Sequence, residues 1–304
     1  MFDIQKMPGA FGADVIGLNL SSEVSADITN ILVDALYQHR VLRIRGQDMT
    51  ASDLVNASQL WGEPVRYLIA EDRDDEFPDV IRMSNSSQTP MSRRNFAAKW
   101  HTDASYDYSP ALTTVVYAVE VPDKGGETLF ADMVAAYQAL PEEIKSKIEN
   151  LRLSHRVKNP GTMAGAGKDS PASTADEEYT KKVAEGVPTH PLVLRHPVTG
   201  AKSLYAVLGS GVEIIGLAGT ESDALLETLR THAVKPEFVM STKAEVGDVL
   251  IWDNMATLHS AVPIEYSDED GERRLLLRVS TRHMPLPYSH LPTPFVNEAE
   301  SSAD

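Results

Sequence analysis

Apolar positions recur at helical spacing in four stretches of the chain. Ile28, Ile31, Leu32, Ala35 and Leu36 lie on one face of a first helix. Thr50, with Asp53 three residues on, is the natural N-cap of a second, which carries Leu54, Ala57 and Trp61 and stops at Gly62. A third follows Pro141 with Ile144, Ile148 and Leu151 on one face. A fourth starts at Thr220, again with an Asp three residues on (Asp223), and presents Leu225, Leu226 and Leu229. Between them lie short runs rich in β-branched and aromatic residues: VLRIRG (41–46), TTVVYAVEV (113–121), ETLFADM (127–133), KSLYAVL (202–208), DVLIWDN (248–254) and RLLLRVSTRHM (274–284). Several are separated by turns containing Gly or Pro, the spacing of an antiparallel sandwich or barrel. The pattern predicts a mainly β protein with flanking helices.

Composition narrows what such a protein does. A chain of 304 residues with 42% apolar content can bury one large core, and it is read as a single domain over 1–304. The formal charge of −16 leaves no basic footprint for nucleic acid. The absence of cysteine excludes disulfides, thiolate-held zinc, iron–sulfur clusters and Cys nucleophiles. The N-terminus lacks the basic start and apolar run of a signal peptide, and no segment reaches the roughly 18 apolar residues of a membrane span. The expectation is a soluble, cytoplasmic protein without membrane or nucleic-acid partners. No Gly-rich phosphate loop follows a strand. Three stretches look irregular: 66–100 and 158–178, which have the character of lids, and a flexible tail over about 286–304.

Chemistry concentrates in the string WHTDASY. In a strand-like stretch, His101 and Asp103 share a face and can point at one spot. His259, in WDNMATLHSA, supplies a second imidazole from the C-terminal half. Two histidines and one carboxylate on one side of a metal leave three positions open, the arrangement preferred by non-haem Fe(II) oxygenases. Downstream, Arg274 and Arg278 fall on one face of RLLLR, and a buried guanidinium there needs an anion. Thr128, in DKGGETLF, offers a hydroxyl at the start of a strand. Singly, each signal has a plain structural alternative: a surface His–Asp pair, a loop histidine, an exposed polar strand face, an ordinary strand threonine.

Together, WHTD, GGET, AAYQALP, WDN…LH and RR-LLL-R, with GADVIGLNL, HRVLRIRGQDMT and LWGEP before them, resemble the TauD/TfdA-like family of taurine and 2,4-dichlorophenoxyacetate dioxygenases. The resemblance runs from about residue 10 to residue 284. It implies a double-stranded β-helix (jelly-roll) core and an enzyme dependent on Fe(II), 2-oxoglutarate and O2. By the same resemblance His101, Asp103 and His259 are the iron ligands, and Thr128 and Arg274 bind the distal carboxylate of 2-oxoglutarate. Arg278 meets an anionic group of the substrate, and Arg66, Tyr67, Asn95 and Tyr205 are further substrate candidates. The segment from His259 to Arg274 is longer than the family usually shows, filled by EYSDEDGE. The implied reaction oxidises, most simply hydroxylates, a small anionic molecule while 2-oxoglutarate becomes succinate and CO2. The presence of Asp103 argues against a halogenase. Histidine is absent from RYLIAE (66–71), where some sulfonate-specific members carry one. Alternatives are an oxygenase of a natural-product pathway acting on a non-anionic substrate, a non-catalytic metal-binding member of the fold, and a metal-dependent hydrolase or cupin-type enzyme. Relatives form homo-oligomers, so a dimer or tetramer is expected.

Overall fold

The computed structural model describes residues 2–67, 72–89, 97–156 and 187–295. The N-terminal half holds strands β1 (Asp3–Lys6), β2 (Ala13–Ile16), β3 (Val41–Ile44), β4 (Glu63–Val65), β5 (Ile81–Ser84), β6 (Thr113–Glu120), β7 (Thr128–Asp132) and β8 (Arg152–His155). The C-terminal half holds β9 (Thr189–Pro191), β10 (Val193–Arg195), β11 (Lys202–Leu204), β12 (Gly211–Ile214), β13 (Val239–Thr242), β14 (Val249–Asp253), β15 (Thr257–Ala261) and β16 (Leu275–Arg282). The helices are α1 (Ala26–His39), α2 (Ala51–Ser58), α3 (Met133–Gln138), α4 (Glu142–Ile148) and α5 (Gly219–Ala233).

Two sheets face one another. The larger has strand order β1-β2-β3-β14-β6-β16-β4, with β5 also paired to β16; the smaller is β13-β7-β15. Strand periodicity sorts their residues into three layers. Val115, Tyr117, Val249, Ile251, Leu277 and Val279 turn outward from the large sheet into a core shared with Leu32, Leu36 and Leu54 of α1 and α2. Ala131 and Leu258 turn outward from the small sheet onto Met133, Ala136, Ile148, Leu226 and Leu229 of α3, α4 and α5. Between the sheets lie Val116, Phe130, Met240, Leu250 and Trp252. This is a jelly-roll layout.

The helix boundaries follow the sequence with instructive departures. Thr50 caps α2 through a reciprocal box with Asp53, and Gly62 ends the following 3₁₀ turn with φ 136. The last helix starts earlier than Thr220 suggests: Ala218 stands at its N-cap with no side-chain bond. Helix α3 escaped the periodicity because it spans only six residues; Asp132 starts it by accepting from the Val134 and Ala135 amides. The run KSLYAVL is a strand only to Leu204. Phe295 is buried, and the Tyr288 hydroxyl donates to Asp34 at 2.5 Å. The 158–178 stretch and residues 296–304 lie outside the described residues. Among the described residues, no helix is long and apolar enough to cross a membrane.

Candidate active site

His101 and Asp103 do not share a strand. His101 forms a single antiparallel bridge with His259, each backbone N–H donating to the other's carbonyl at 3.0 and 2.9 Å. The chain then leaves the sheet in a turn, with Ala104 in the left-handed region at φ 51. Asp103 therefore approaches the His101 side chain from the start of a turn and not from a continuing strand. His259 arrives on β15, where it pairs with Phe130 of β7 and faces the space between the sheets.

The three side chains converge. One ligand atom from each of His101, Asp103 and His259 lies within 4.8 Å of the others, the one such group among the described residues. His101 Nε2 is 3.7 Å from Asp103 Oδ1, and His259 Nε2 is 3.6 Å from Oδ2. These distances are too long for hydrogen bonds and leave the lone pairs convergent. His101 Nδ1 lies 2.7 Å from the Lys99 carbonyl. A proton on Nδ1 donates there and leaves Nε2 as a bare donor atom toward the cluster, the outer support metal-binding histidines need.

Asp103 is 3% exposed and closely held. Arg278 Nη2 lies 2.7 Å from Oδ1, and the Thr114 hydroxyl donates to Oδ2 at 2.7 Å. Asn254 braces the same corner: its amide donates to Thr114 Oγ1 at 3.0 Å, while its Oδ1 accepts from the Trp252 indole and the Asp103 amide. Burial works against ionisation of Asp103. The Arg278 guanidinium, with smaller contributions from the two imidazoles and the Thr114 hydroxyl, overcomes it and holds the carboxyl well below the usual range. Burial pushes His259 down to about 3, with His101 adding to the effect, and burial also lowers His101. The cluster therefore stands as one carboxylate and two neutral imidazoles near pH 7, the protonation states a divalent cation requires.

Strand β16 carries Arg278, and Arg274 immediately precedes it. Leu277 and Val279 face the helices while Leu276 faces the inter-sheet core, so positions 274, 276, 278 and 280 look inward. The register irregularity opposite Leu275 and Leu276 falls at Val119 of β6 and leaves this alternation intact. Burial lowers Arg274, and its Nε is buried without a partner among the described residues. Arg278 Nε is likewise unpartnered. Thr128 opens β7 on the inward parity of Phe130.

The substrate candidates separate. Tyr67 lies close enough to Tyr106 to raise that phenol, second only to burial, and Arg278 acts on it in the opposite sense. Arg66 is exposed. Asn95 lies outside the described residues. Tyr205 is 1% exposed, follows β11 and packs among the rings of His155, His190 and Phe295, where burial, and then Asp103 and Asp253, raise its phenol. Four contributors escaped the motif reading. Thr114 and Asn254 hold Asp103, Tyr106 neighbours Arg278, and Gly209, at φ +80, packs so tightly that a Cβ would lie 2.9 Å from His101 Cβ. Only Asn254, in the WDN string, and Tyr106, in WHTDASY, lay within motifs that had been singled out.

The family model of the taurine catabolism dioxygenase TauD, TfdA family matches residues 3–280. The alpha-ketoglutarate-dependent 2,4-dichlorophenoxyacetate dioxygenase of Cupriavidus pinatubonensis is 35% identical over 290 residues, covering 89% of this chain and 94% of its own. The alkylsulfatase of Acinetobacter baylyi is 29% identical over 282 residues, covering 91% and 84%. A crystal structure of a taurine dioxygenase from Burkholderia xenovorans superposes with a TM-score of 0.74 at 28% identity, covering 93% of this chain and 91% of that one.

Proposed function

The chain belongs to the TauD, TfdA family and is a 2-oxoglutarate-dependent non-haem iron dioxygenase; from that premise we propose that it hydroxylates a small organic anion held by Arg278 above the His101, Asp103 and His259 cluster. The carrying observation is that Arg278 extends from the inward face of β16 to within 2.7 Å of Asp103 Oδ1. A carboxylate, sulfonate or sulfate group on that guanidinium would set the attached carbon beside the cluster. The relatives named above carry aryloxyacetate, alkyl sulfate and taurine in their names, and all three molecules bear one anionic head on a short organic body.

The donor set fits Fe(II): two imidazole nitrogens and one carboxylate on one side, with the other side open. His101, Asp103 and His259 hold the metal in this reading. Bound Fe(II), with O2, supplies the oxidising chemistry that couples substrate oxidation to conversion of 2-oxoglutarate into succinate and CO2. The protein's own task is placement. In this reading Arg274 and Thr128 hold the distal carboxylate of 2-oxoglutarate, where each charged hydrogen bond contributes roughly 1.5–3 kcal/mol. Thr114 and Asn254 fix the Asp103 carboxylate, and the Lys99 carbonyl fixes His101. Tyr67 and Tyr106 wall the Arg278 side and exclude water from the anion. A cytoplasmic homo-oligomer, dimer or tetramer, is the proposed setting on the family resemblance. The charge of −16 supports the proposed absence of a nucleic-acid partner.

The test is succinate formation from 2-oxoglutarate with Fe(II), ascorbate and air, across aryloxyalkanoates, alkyl sulfates, sulfonates and amino acids. Stimulation by one anionic class, abolished by chelation and by Asp103→Ala, supports the reading. Turnover retained in Asp103→Ala, or stimulation only by uncharged compounds, overturns it.

A further inference from the structure

The segment between β15 and β16 is the longer acidic stretch that separates His259 from Arg274, and a single buried side chain organises it. Asn85 follows β5 and is 1% exposed. Its backbone N–H donates to the Arg274 carbonyl at 3.2 Å, and its own carbonyl accepts from the Ser267 amide at 3.0 Å. Its Oδ1 accepts from the Arg274 amide at 2.6 Å, while Nδ2 donates to the carbonyls of Glu265 and Glu272, each at 2.8 Å. Turning the amide over would set an oxygen against two carbonyls and an NH2 group against an N–H, so the network permits one orientation. Arg274 is thus bonded through both its N–H and its C=O to one residue.

The adjoining serines extend the clasp. Ser86 Oγ donates to Asp268 at 2.8 Å, and the Ser87 amide and hydroxyl bind the same carboxylate. Arg273 pairs with Glu120 and Asp270. The Asp268 and Asp270 carboxylates are therefore occupied away from Arg274, whose buried Nε has no partner among the described residues. A loose acidic segment beside a desolvated guanidinium would compete for it, because an unpaired buried cation draws any nearby anion.

We infer that Asn85 is the positioning residue of the 2-oxoglutarate anchor, fixing the backbone at Arg274 and keeping the carboxylates of the 265–272 segment off a guanidinium that Tyr266 of the same segment approaches. The inference rests on the reading that Arg274 receives the distal carboxylate. Asn85→Asp keeps size and the Oδ1 acceptor but replaces two amide donors with an oxygen facing the Glu265 and Glu272 carbonyls. Two readouts follow: the thermal shift that 2-oxoglutarate produces in Mn(II)-loaded protein, and KM for 2-oxoglutarate against KM for the primary substrate.

In Asn85→Asp, 2-oxoglutarate binds about tenfold more weakly, with substrate KM and the kcat at saturating 2-oxoglutarate near wild type. Equal loss in both KM values, or an unchanged thermal shift, overturns the inference. Arg274→Ala separates it from its premise: if that variant binds 2-oxoglutarate normally, the anchor is misassigned, whereas a defect there with none in Asn85→Asp sinks Asn85 alone. Should Asn85→Asp fail to fold, amide exchange in the wild-type protein decides. The Arg274 amide exchanges slowly, at the rate of β16, if Asn85 holds it, and at the rate of a free loop if it does not.

Discussion

Arg278 and Asp103 form a close, buried ion pair, Nη2 to Oδ1 at 2.7 Å, with the arginine side chain 15% and the aspartate 3% exposed. The pair joins two tasks. The same guanidinium that keeps Asp103 ionised stands where an anionic substrate would dock. Truncation therefore touches both, but unequally, because the Thr114 hydroxyl also holds the carboxylate. Arg278→Met should raise KM for an anionic substrate by roughly 10- to 100-fold, the worth of one charged hydrogen bond, and leave KM for 2-oxoglutarate near wild type. Steady-state kinetics with each co-substrate varied in turn checks this; a defect confined to 2-oxoglutarate would reassign the arginine.

Arg274→Ala carries the opposite signature. The loss falls on 2-oxoglutarate, by roughly 10- to 100-fold in KM, with little change for the primary substrate. Thr128→Val should push the same constant in the same direction by less, since a hydroxyl gives a weaker bond than a guanidinium. If the substrate constant moves instead, the two inward positions of β16 have been assigned the wrong way round.

Thr114 sits behind the metal cluster and need not touch substrate. Its hydroxyl donates to Asp103 Oδ2 and accepts from Asn254, so Thr114→Val frees the carboxylate to turn. Groups that orient a metal ligand typically contribute about 10- to 100-fold in affinity. Mn(II) titration should show a loss of that size, and Asn254→Ala should match it through the same corner. Wild-type affinity in both variants would mean that Arg278 alone orients Asp103.

Gly209 tests a contact the motifs do not mention. A methyl group there meets His101 at 2.9 Å, and φ +80 is strained for any residue with a Cβ. Gly209→Ala should cost about 1–2 kcal/mol in backbone strain and displace His101, weakening Mn(II) binding. Urea unfolding and metal titration measure the two parts separately. Lost stability with unchanged metal affinity would show that His101 stays in place.

Acid stability should follow the buried histidines behind the site. Burial lowers His190 to about 4, against the two backbone carbonyls its Nε2 meets, and lowers His155 well below its ordinary value of 6.5. The unfolded chain binds those protons at higher pH than the folded one, so stability rises with pH across this interval. The metal-free protein should be stable above pH 6.5 and lose a few kcal/mol as pH falls toward 4. Urea midpoints measured from pH 7 to pH 4 test it. His190→Gln should flatten the slope, and an unchanged slope would place the acid-labile group elsewhere.

Residue spacing made the long strands and the main helices legible. β6, β14 and β16 alternate because each faces a helix layer on one side and a second sheet on the other, and α2 announces itself through the Thr50 and Asp53 box. His259 and the parity of Arg274 and Arg278 could also be read from the chain, since strand periodicity is local. The six-residue α3 and most of the three- and four-residue strands, β3 and β11 excepted, carried too few turns of any period to be seen. The burial of Tyr205 was illegible for a related reason: an aromatic residue after a strand looks alike from sequence whether it is exposed or buried.

What the sequence determined by itself was the inventory of chemistry, the longer strands, and the shared parity of Arg274 and Arg278, each set within a few residues. The tertiary structure decided everything that depends on residues far apart in the chain. Asp103 stands beside His101 at the start of a turn, Thr114 of β6 binds its carboxylate, Asn254 after β14 accepts from its amide and donates to Thr114, and Gly209 leaves room for His101. Asn85 ties down a segment 180 residues away. Those relations rest on which strands lie side by side, and strand pairing is a long-range choice that no local period encodes.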